Sequence, residues 1–166
     1  PKGKSTEAMT YVHDLNATVC GFSKTPIPEK SDARDLGPLI RGEIEEVHEE
    51  VFLPFQNNQR TVRDERWKLH VYPLINHRLL FDLKEDPHET NNLAEKPEHA
   101  GKLREMMAMM EKNRNSYGDR HPLSVENPKP KEAIYDNAKR TLDIWQPKWI
   151  RDKYFGGRSR TNHGKK

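Results

Sequence analysis

The chain contains a single cysteine, Cys20, among 166 residues. One cysteine forms no internal disulfide, and its isolation excludes zinc sites built from several cysteines. Apolar residues are also scarce, at 33% of the sequence, and the mean hydropathy is -1.07. So little apolar material supports one modest core, made of a small sheet and a few helices.

Long apolar runs are missing as well. No run approaches the roughly 20 residues that a membrane-spanning helix needs, so we expect no membrane span. The sequence opens at Pro1, without an initiator methionine and without the basic and apolar segments of a signal peptide. We therefore expect the chain to be part of a longer gene product.

The net charge of +3 is distributed unevenly along the chain. Residues 146–166 carry seven lysines or arginines and one aspartate, which leaves the rest of the chain mildly acidic. A surface that binds nucleic acid needs basic side chains clustered on a folded face. The pattern instead favours a solvated basic tail and predicts no nucleic-acid partner.

The first fifty residues combine one helical pattern with a connector. Apolar residues at helical spacing predict a short helix that Gly21 ends; they are Tyr11, Val12, Leu15, Val19 and Cys20. Prolines and glycines then favour turns, with one short helical turn in residues 36–42. Residues 43–50 contain five glutamates, which is typical of a solvated surface segment.

From Val51 onward the apolar residues alternate with a period of two, which predicts short antiparallel strands. The predicted strands cover residues 51–55, 61–63, 67–71 and 79–83. In the third, Trp67, Leu69 and Val71 face one way, and in the fourth the alternating set is Leu79, Phe81 and Leu83. Pro54 confines the first strand to an edge of the sheet.

A longer amphipathic pattern begins near Pro97 and ends at Gly118. Its apolar stripe consists of Leu103, Met106, Met107, Met110 and Tyr117. A small sheet with one uncovered apolar face is marginally stable, so we predict an α+β fold in which three to four antiparallel strands pack against this long helix. Methionines also line adaptable binding grooves, although core packing is the favoured interpretation. Residues 133–144 predict a further helix before a tail containing Trp145 and Trp149.

The most specific motif is Leu-Phe-Asp-Leu-Lys-Glu-Asp-Pro-His-Glu-Thr-Asn-Asn-Leu-Ala, at residues 80–94. Asp86 with the following proline predicts a turn, Glu89 can accept backbone N–H groups, and Asn91 or Asn92 can cap the next segment of the chain. This stretch resembles the signature near the C-terminus of sulfatases, in which such a strand leads into Asp-Pro-x-Glu-x-x-Asn-Leu.

Two further matches, one of them made of two segments, resemble the same family. Gln-Arg-Thr-Val-Arg-Asp-Glu-Arg-Trp-Lys-Leu, at residues 59–69, is similar to the sulfatase hairpin that precedes the signature. Residues 8–18 and 35–42 are similar to the family's Asp-Leu-x-x-Thr helix and its Leu-x-Pro-Leu-x-x-Gly segment. Because the three matches occur in the family's order and spacing, the chain resembles the C-terminal region of a sulfatase without its catalytic domain.

The resemblance implies an arylsulfatase-like parent of the alkaline phosphatase superfamily, with an α/β N-terminal domain that holds the active site. Residues 1–50 would be the end of that domain and a connector, residues 51–118 the C-terminal subdomain, and residues 119–166 a helical extension and basic tail. The missing N-terminal domain would be the chain's partner. The family also implies a periplasmic or extracellular parent.

The family hydrolyses sulfate esters, here of a carbohydrate or an aryl group, with a formylglycine nucleophile and calcium. Cys20 is followed by Gly-Phe-Ser-Lys, whereas the formylglycine precursor stands in Cys-x-Pro/Ala-x-Arg, so Cys20 is rejected as that precursor. We assign no catalytic residue, metal ligand or cofactor to this chain and predict that it is inactive alone. Sulfated substrate would reach it only as part of the parent.

Substrate contacts are predicted at one end of the sheet, where related sulfatases present polar side chains to the substrate. Gln59 and Arg60 are the first candidates, because an amide donates and accepts while a guanidinium fork suits a sulfate or carboxylate. His77 and Arg78 come second. Arg60 could equally be a solvated cation at a strand end. The alternative function is a free-standing module that binds an anionic glycan or polymer through the basic tail.

Overall fold

The computed structural model describes Gly3, residues 5–132 and residues 147–155. The chain divides into two compact units, residues 1–131 and residues 132–166. Within the described ranges, no helix has both the length and the apolar character that crossing a membrane requires.

The described part of the second unit contains one helix, α4 (Lys148–Phe155), on which Trp149 is exposed. The helix predicted for residues 133–144 lies outside the described residues, as do Trp145 and residues 156–166. The domain boundaries expected at residues 50 and 118 stay predictions.

The first unit is built around a four-stranded antiparallel sheet of order β1-β2-β3-β4. The strands are β1 (Val51–Phe55), β2 (Gln59–Arg63), β3 (Trp67–Tyr72) and β4 (His77–Asp82). Each strand pairs with its neighbour in sequence because the connections are short, the last being a turn of 3-10 helix at Pro73–Ile75. The predicted antiparallel sheet, with β1 at an edge, is confirmed.

One face of the sheet, here called the inner face, carries the core. Phe52, Val62, Leu69 and Leu80 are cross-strand neighbours in a single row, and all four are buried. Val71 is buried on the same face, next to Leu69 along β3. Apolar neighbours across strands are the main source of stability in such a sheet.

The opposite, outer face holds the apolar residues of β4 that the alternation had singled out. Leu79 and Phe81 lie there, whereas Leu80, between them, packs in the core. The expected set of Leu79, Phe81 and Leu83 is therefore wrong as the core-facing set. Because residues 79–81 are all apolar, alternation alone does not choose a face, and the register that pairs Leu69 with Leu80 does.

The inner face is covered by α3 (Ala100–Ser116), which follows directly on a 3-10 turn at Pro97–His99. Met106 and Met110 are fully buried in the core cluster, and Leu103 and Met107 pack at its margin. Gly118 adopts a left-handed φ of 67° just after the helix, as expected of a residue that ends it. The helix and the orientation of its predicted Leu103 and methionine stripe toward the sheet are confirmed. Tyr117, predicted in the same stripe, instead lies just after the last helical residue and is 45% exposed.

Near the start of the chain, a buried carboxylate joins α1 (Asp14–Ser23) to the connector. The Asp14 carboxylate accepts the backbone N–H groups of Tyr11 at 2.7 Å and Arg34 at 2.9 Å, and it lies 2.9 Å from Nε2 of His48. Burial alone would raise the pKa of Asp14, but the three hydrogen bonds outweigh it and hold the pKa below its usual value. The connector is thus fixed to α1 at two points.

A second hydrogen-bonded link lies one helical turn further on. The Thr18 hydroxyl donates to the Asp14 carbonyl and accepts the N–H of Leu36, the residue before the short helix α2 (Gly37–Arg41). The two upstream sulfatase-like motifs are therefore bonded to each other. The acidic segment 43–50 is largely exposed as predicted, although its Val47 and His48 are buried.

Gly21 does not end α1. The helix continues to Ser23 and ends where Lys24 adopts a left-handed φ of 55°. Gly21 instead permits a close approach, because a Cβ at this position would lie 2.4 Å from Oδ2 of Asp35. The prediction was wrong because a glycine inside a helix can serve packing as well as termination.

The free edge of β1 is protected by a tyrosine. The Phe52 N–H donates to the Tyr11 hydroxyl at 2.5 Å, and that hydroxyl lies 3.3 Å from the Phe52 carbonyl oxygen, to which it donates. The backbone N–H and C=O groups of alternate residues in an edge strand point away from the sheet. Residue 54 therefore points to the same free edge as Phe52, and proline has no N–H there to pair with another strand. Together Tyr11 and Pro54 leave little of this edge for an added strand.

Replacing Tyr11 with phenylalanine should lower the free energy of unfolding by about 1–2 kcal/mol, because the Phe52 N–H loses its partner. Burial raises the pKa of Tyr11 from 10.0 to about 12. The folded protein thus keeps this proton at a pH where the unfolded chain releases it, and the Tyr11 contribution should fall as pH rises from about 10 to about 12.

The measurement is urea unfolding of both proteins between neutral pH and pH 12. The difference between them isolates Tyr11 from other groups that titrate at high pH. A gap in unfolding free energy that stays constant over this range would contradict the assigned role of the hydroxyl.

Candidate functional site

The four residues predicted to contact substrate lie at the same end of the sheet but on opposite faces. Gln59 and His77 are on the outer face, while Arg60 and Arg78 are on the inner face. Adjacent residues of a strand point to opposite faces, so each predicted pair is divided.

The outer face ends in a cross-strand row of four side chains, here called the end row: Phe55, Gln59, Tyr72 and His77. Phe55 is opposite Gln59 and Tyr72 is opposite His77, and the β2–β3 register continues the row from Gln59 to Tyr72. The Phe55 ring is 60% exposed, and the rings of Tyr72 and His77 stack with centroids 6.4 Å apart. Aromatic faces next to an amide and an imidazole give apolar and hydrogen-bonding groups on one surface.

The other half of the outer face is occupied by the chain itself. Residues 6–10 run beside β1, β2 and β3, where they line a shallow cavity together with Leu53, Arg63 and Lys68. The end row lies outside this half. Phe55 is exposed there, and the other three residues of the row are half-buried.

A polar cluster behind the end row fixes the Gln59 side chain. Nε2 of Gln59 donates to Oγ1 of Thr61 at 2.9 Å and to Nδ1 of His70 at 3.0 Å. Both bonds use the amide nitrogen, so among the described residues Oε1 of Gln59 is left to accept from another partner. The amide is thereby held in one orientation before any ligand arrives.

His70 occupies the centre of this cluster in its neutral form. Nε2 faces the carboxylate Oε2 of Glu89 at 3.4 Å, which places the ring proton on Nε2. Nδ1 is then the acceptor, with the Thr61 hydroxyl at 2.7 Å and Nε2 of Gln59 at 3.0 Å as its donors. Burial lowers the pKa of His70, and the carboxylate of Glu89 offsets this only in part. A neutral imidazole keeps Nδ1 an acceptor at neutral pH, which preserves the bond to Gln59.

The signature motif supports the cluster from the side. Glu89 adopts a left-handed φ of 56°, and its Oε1 accepts from Nζ of Lys68 at 2.7 Å. The expectation that Glu89 accepts backbone N–H groups is wrong, since Asp86 does so by accepting the N–H of Asn91 at 2.8 Å. Asn92 does cap, because its Oδ1 accepts the N–H of Ala94 at 3.0 Å.

Arg60 is 1% exposed and is bonded within the unit. Its guanidinium makes a two-point ion pair with Asp119, with Nε–Oδ2 at 2.7 Å and a second nitrogen 3.0 Å from Oδ1. A third nitrogen donates to the Gln56 carbonyl at 2.6 Å, in the turn between β1 and β2. The solvated strand-end alternative is therefore wrong, and the substrate role of Arg60 stays a prediction.

The residues that are described do not fit the calcium site or the nucleophile that the resemblance implies for the parent. Within residues 5–132 and 147–155, no group of three or more His, Cys, Asp or Glu side chains could hold a metal ion. Cys20 is half-buried on α1, with Sγ 3.8 Å from Oδ1 of Asn16. No chemical step is assigned to either group here.

Sequence reasoning missed Phe55, Tyr72 and His70 as members of this surface. The period-two alternation did place His70 and Tyr72 on the face opposite Leu69, and this pattern could have identified them as outer-face residues. The register between strands was needed to align them with Gln59 and His77.

Comparison with known proteins agrees with the motifs. The family model described as N-sulphoglucosamine sulphohydrolase, C-terminal, matches residues 1–116. An N-acetylglucosamine-6-O-sulfatase of Bacteroides thetaiotaomicron is 25% identical over 136 residues, which cover 75% of this chain and 24% of the relative. A Δ4,5-hexuronate-2-O-sulfatase of the same organism is 31% identical over 107 residues, covering 59% of this chain and 22% of the relative.

Solved structures give the same result. A 2-O GAG sulfatase is 29% identical with a TM-score of 0.57, over 64% of this chain and 25% of that one. The chain thus spans about a quarter of the length of the relatives it matches. Because the family model covers residues 1–116 of the 166, the chain belongs to the family of C-terminal sulfatase domains described as N-sulphoglucosamine sulphohydrolase, C-terminal.

Proposed function

We propose that this chain completes a sulfatase that removes sulfate esters from a carbohydrate, and that the end row forms one wall of the substrate pocket. The family match supports the reaction class, and the relatives act at sulfated sugars by their names. The observation that carries the pocket role is the position of Gln59 and His77, both partly exposed, in one cross-strand row with the exposed Phe55 ring.

The reacting groups would come from the residues that the longer relatives carry before this region. There a formylglycine would supply the nucleophile and calcium would stabilise the charge of the sulfate. The end row would act on the sugar, since an amide and an imidazole bind hydroxyl groups and aromatic rings cover apolar ring faces. Its role is recognition and orientation of the substrate.

The inner-face candidates fit a supporting role in this proposal. Arg60 holds the β1–β2 turn through the Gln56 carbonyl, and that turn separates Phe55 from Gln59. Arg78 is exposed at the start of β4, where its carbonyl accepts from Nδ2 of Asn92. A direct contact with the substrate remains part of the proposal for Arg78, whereas for Arg60 it would require the ion pair with Asp119 to open.

The test uses the polypeptide extended by its own upstream coding sequence. Sulfate release is measured from monosaccharides sulfated at the 2-O, 6-O or N position. In the variants Gln59→Ala and His77→Ala, the loss of one hydrogen bond to the sugar should lower kcat/KM by about 5- to 10-fold, mainly through KM. Arg104→Ala, on the exposed side of α3, is the control and should leave both constants unchanged.

Unchanged kinetics in both end-row variants would contradict the pocket role, and no sulfate release from any of these sugars would contradict the substrate class. The alternative, an anionic-polymer module, depends on residues 146–166, of which only 147–155 are described. Salt-sensitive retention of the 166-residue chain on a sulfated glycan matrix would favour that alternative.

A further inference from the structure

Polar contacts join the signature motif to the end row through three side chains, here called the polar series: Glu89, His70 and Gln59. Oε2 of Glu89 lies 3.4 Å from Nε2 of His70, and Nδ1 of His70 lies 3.0 Å from Nε2 of Gln59. The three residues come from the segment after β4, from β3 and from β2. The His70 side chain is only 12% exposed, so water screens these contacts little.

Glu89 is an ionised acceptor at one end of the polar series. Burial alone would raise the pKa of Glu89, but the hydrogen bonds from Lys68 and His70 outweigh it and hold the pKa below its usual value. Nζ of Lys68 occupies the other carboxylate oxygen at 2.7 Å. An ionised carboxylate accepts hydrogen bonds and donates none, so Nε2 of His70 carries the ring proton.

This tautomer of His70 fixes which end of the Gln59 amide lies against the ring. With its proton on Nε2, the ring offers only a lone pair at Nδ1, where an amide NH2 group can bond and a carbonyl oxygen cannot. The Thr61 hydroxyl acts in the same direction, because it donates to Nδ1 at 2.7 Å and its oxygen accepts from Nε2 of Gln59 at 2.9 Å. Both contacts use the amide nitrogen, which leaves the carbonyl oxygen Oε1 for a ligand at the end row.

The surroundings of His70 keep the ring neutral at neutral pH. Burial lowers the pKa of His70, the charge of Lys68 acts in the same direction, and Glu89 offsets this only in part. Titratable side chains face this region from the segment after β4, from β3, and from the cavity beside Thr61 and Lys68; they are Glu89, Lys68, Tyr72, Glu7 and Arg63. The hydrogen bonds of the polar series therefore keep one direction at neutral pH.

We propose that Glu89 and His70 are positioning residues that present Oε1 of Gln59 to the substrate, so that this point of the pocket takes a hydrogen-bond donor of the sugar, a hydroxyl or N–H group. A sulfate or carboxylate group at the same point has only acceptor oxygens, and the amide oxygen excludes it. This rests on the proposal that the end row lines the substrate pocket. Within that proposal, Glu89 determines through His70 which sugar group Gln59 selects.

The orientation is tested without any activity, by 15N NMR of the His70 ring in the 166-residue chain at about pH 7.5. The wild type should carry the ring proton on Nε2. In Glu89→Gln, Lys68 still requires an acceptor and takes the new carbonyl oxygen, so the new NH2 group lies against Nε2 and the proton should move to Nδ1. Glu85→Gln, an exposed position in the same motif, is the matched control and should leave the tautomer unchanged.

The substrate contact is tested by kinetics in the polypeptide extended by its own upstream coding sequence, with the sulfated monosaccharide that it hydrolyses fastest. Glu89→Gln should raise KM by about 3- to 5-fold with kcat unchanged, because the Gln59 amide turns over and loses its bond to the sugar. The same substitution should add nothing in a Gln59→Ala background, where the amide through which it acts is gone. Gln59→Glu keeps an acceptor toward the sugar, so its KM should lie below that of Gln59→Ala.

A ring proton on Nδ1 in the wild type, or the same tautomer in the wild type and Glu89→Gln, would overturn the proposal. So would a further rise in KM on adding Glu89→Gln to Gln59→Ala, which would give Glu89 a general structural role. A KM for Gln59→Glu above that of Gln59→Ala would mean that this point takes an anion, and it would refute the selected group. The NMR result does not depend on sulfate release, so the expected tautomers in an inactive polypeptide would count against the proposed function and support the positioning.

Discussion

Replacing Arg60 with methionine is expected to lower the free energy of unfolding by about 3–5 kcal/mol, the cost of removing one partner from a buried ion pair. The Arg60 guanidinium is 1% exposed, pairs with Asp119 at two points and also bonds the Gln56 carbonyl. Without it, the Asp119 carboxylate is left in a poorly solvated site. Urea unfolding of the 166-residue chain, followed by circular dichroism, measures the loss.

Arg66 provides the matched control, because it makes the same two-point contact with Asp82 while remaining 48% exposed. Arg66→Met should cost less than Arg60→Met, because solvent already screens the exposed Arg66 guanidinium and the buried Asp82 carboxylate keeps the N–H of Lys84 as a partner. The double variant Arg60→Met with Asp119→Leu should recover much of the stability, because no unpaired charge remains. Equal losses for Arg60→Met and Arg66→Met would contradict this account.

The Arg60–Asp119 pair also predicts how the free energy of unfolding depends on pH in the acid range. The Arg60 guanidinium holds the pKa of Asp119 below its usual range, so the folded protein keeps the carboxylate charged where the unfolded chain takes up a proton. The contribution of the pair is therefore present above about pH 4 and is lost as pH falls through the folded pKa. Arg60→Met should remove this part of the acid sensitivity.

Truncating either of the two central methionines should be almost as costly. Met106→Ala and Met110→Ala are each expected to lower the free energy of unfolding by about 2–5 kcal/mol, since each leaves a cavity in the core cluster. Thermal or urea unfolding of the single variants measures the effect. The result also decides between the two interpretations of the methionine stripe, core packing and an adaptable groove.

Met109→Ala is the matched control on the same helix. Met109 is only half-buried, at the margin of the core, so its truncation should cost less than about half as much. The change in helix propensity is the same for all three variants, because each replaces methionine with alanine. If all three variants lost the same small amount of stability, the stripe would be a groove and not a core.

The sequence alone predicts the strands and the long helix of this protein, because they depend on interactions between residues close together in the chain. Period-two alternation identified the strands, and the stripe from Leu103 to Met110 identified α3 and the face it buries. Pro54 placed β1 at an edge, since a residue without an N–H cannot pair on both sides. The order of three short motifs identified the family that the comparisons confirm.

The tertiary structure decided what depends on register and on distant partners. Alternation shows that neighbouring residues point to opposite faces, but only the pairing between strands puts Gln59 beside Tyr72 and His77 and places Leu80 in the core. Nothing local links Arg60 to Asp119, or Asp14 to Arg34 and His48, because each pair is joined across a folded loop. The composition and the hydrophobic periodicity of the sequence determined the strands and helices. Long-range packing determined which side chains come into contact.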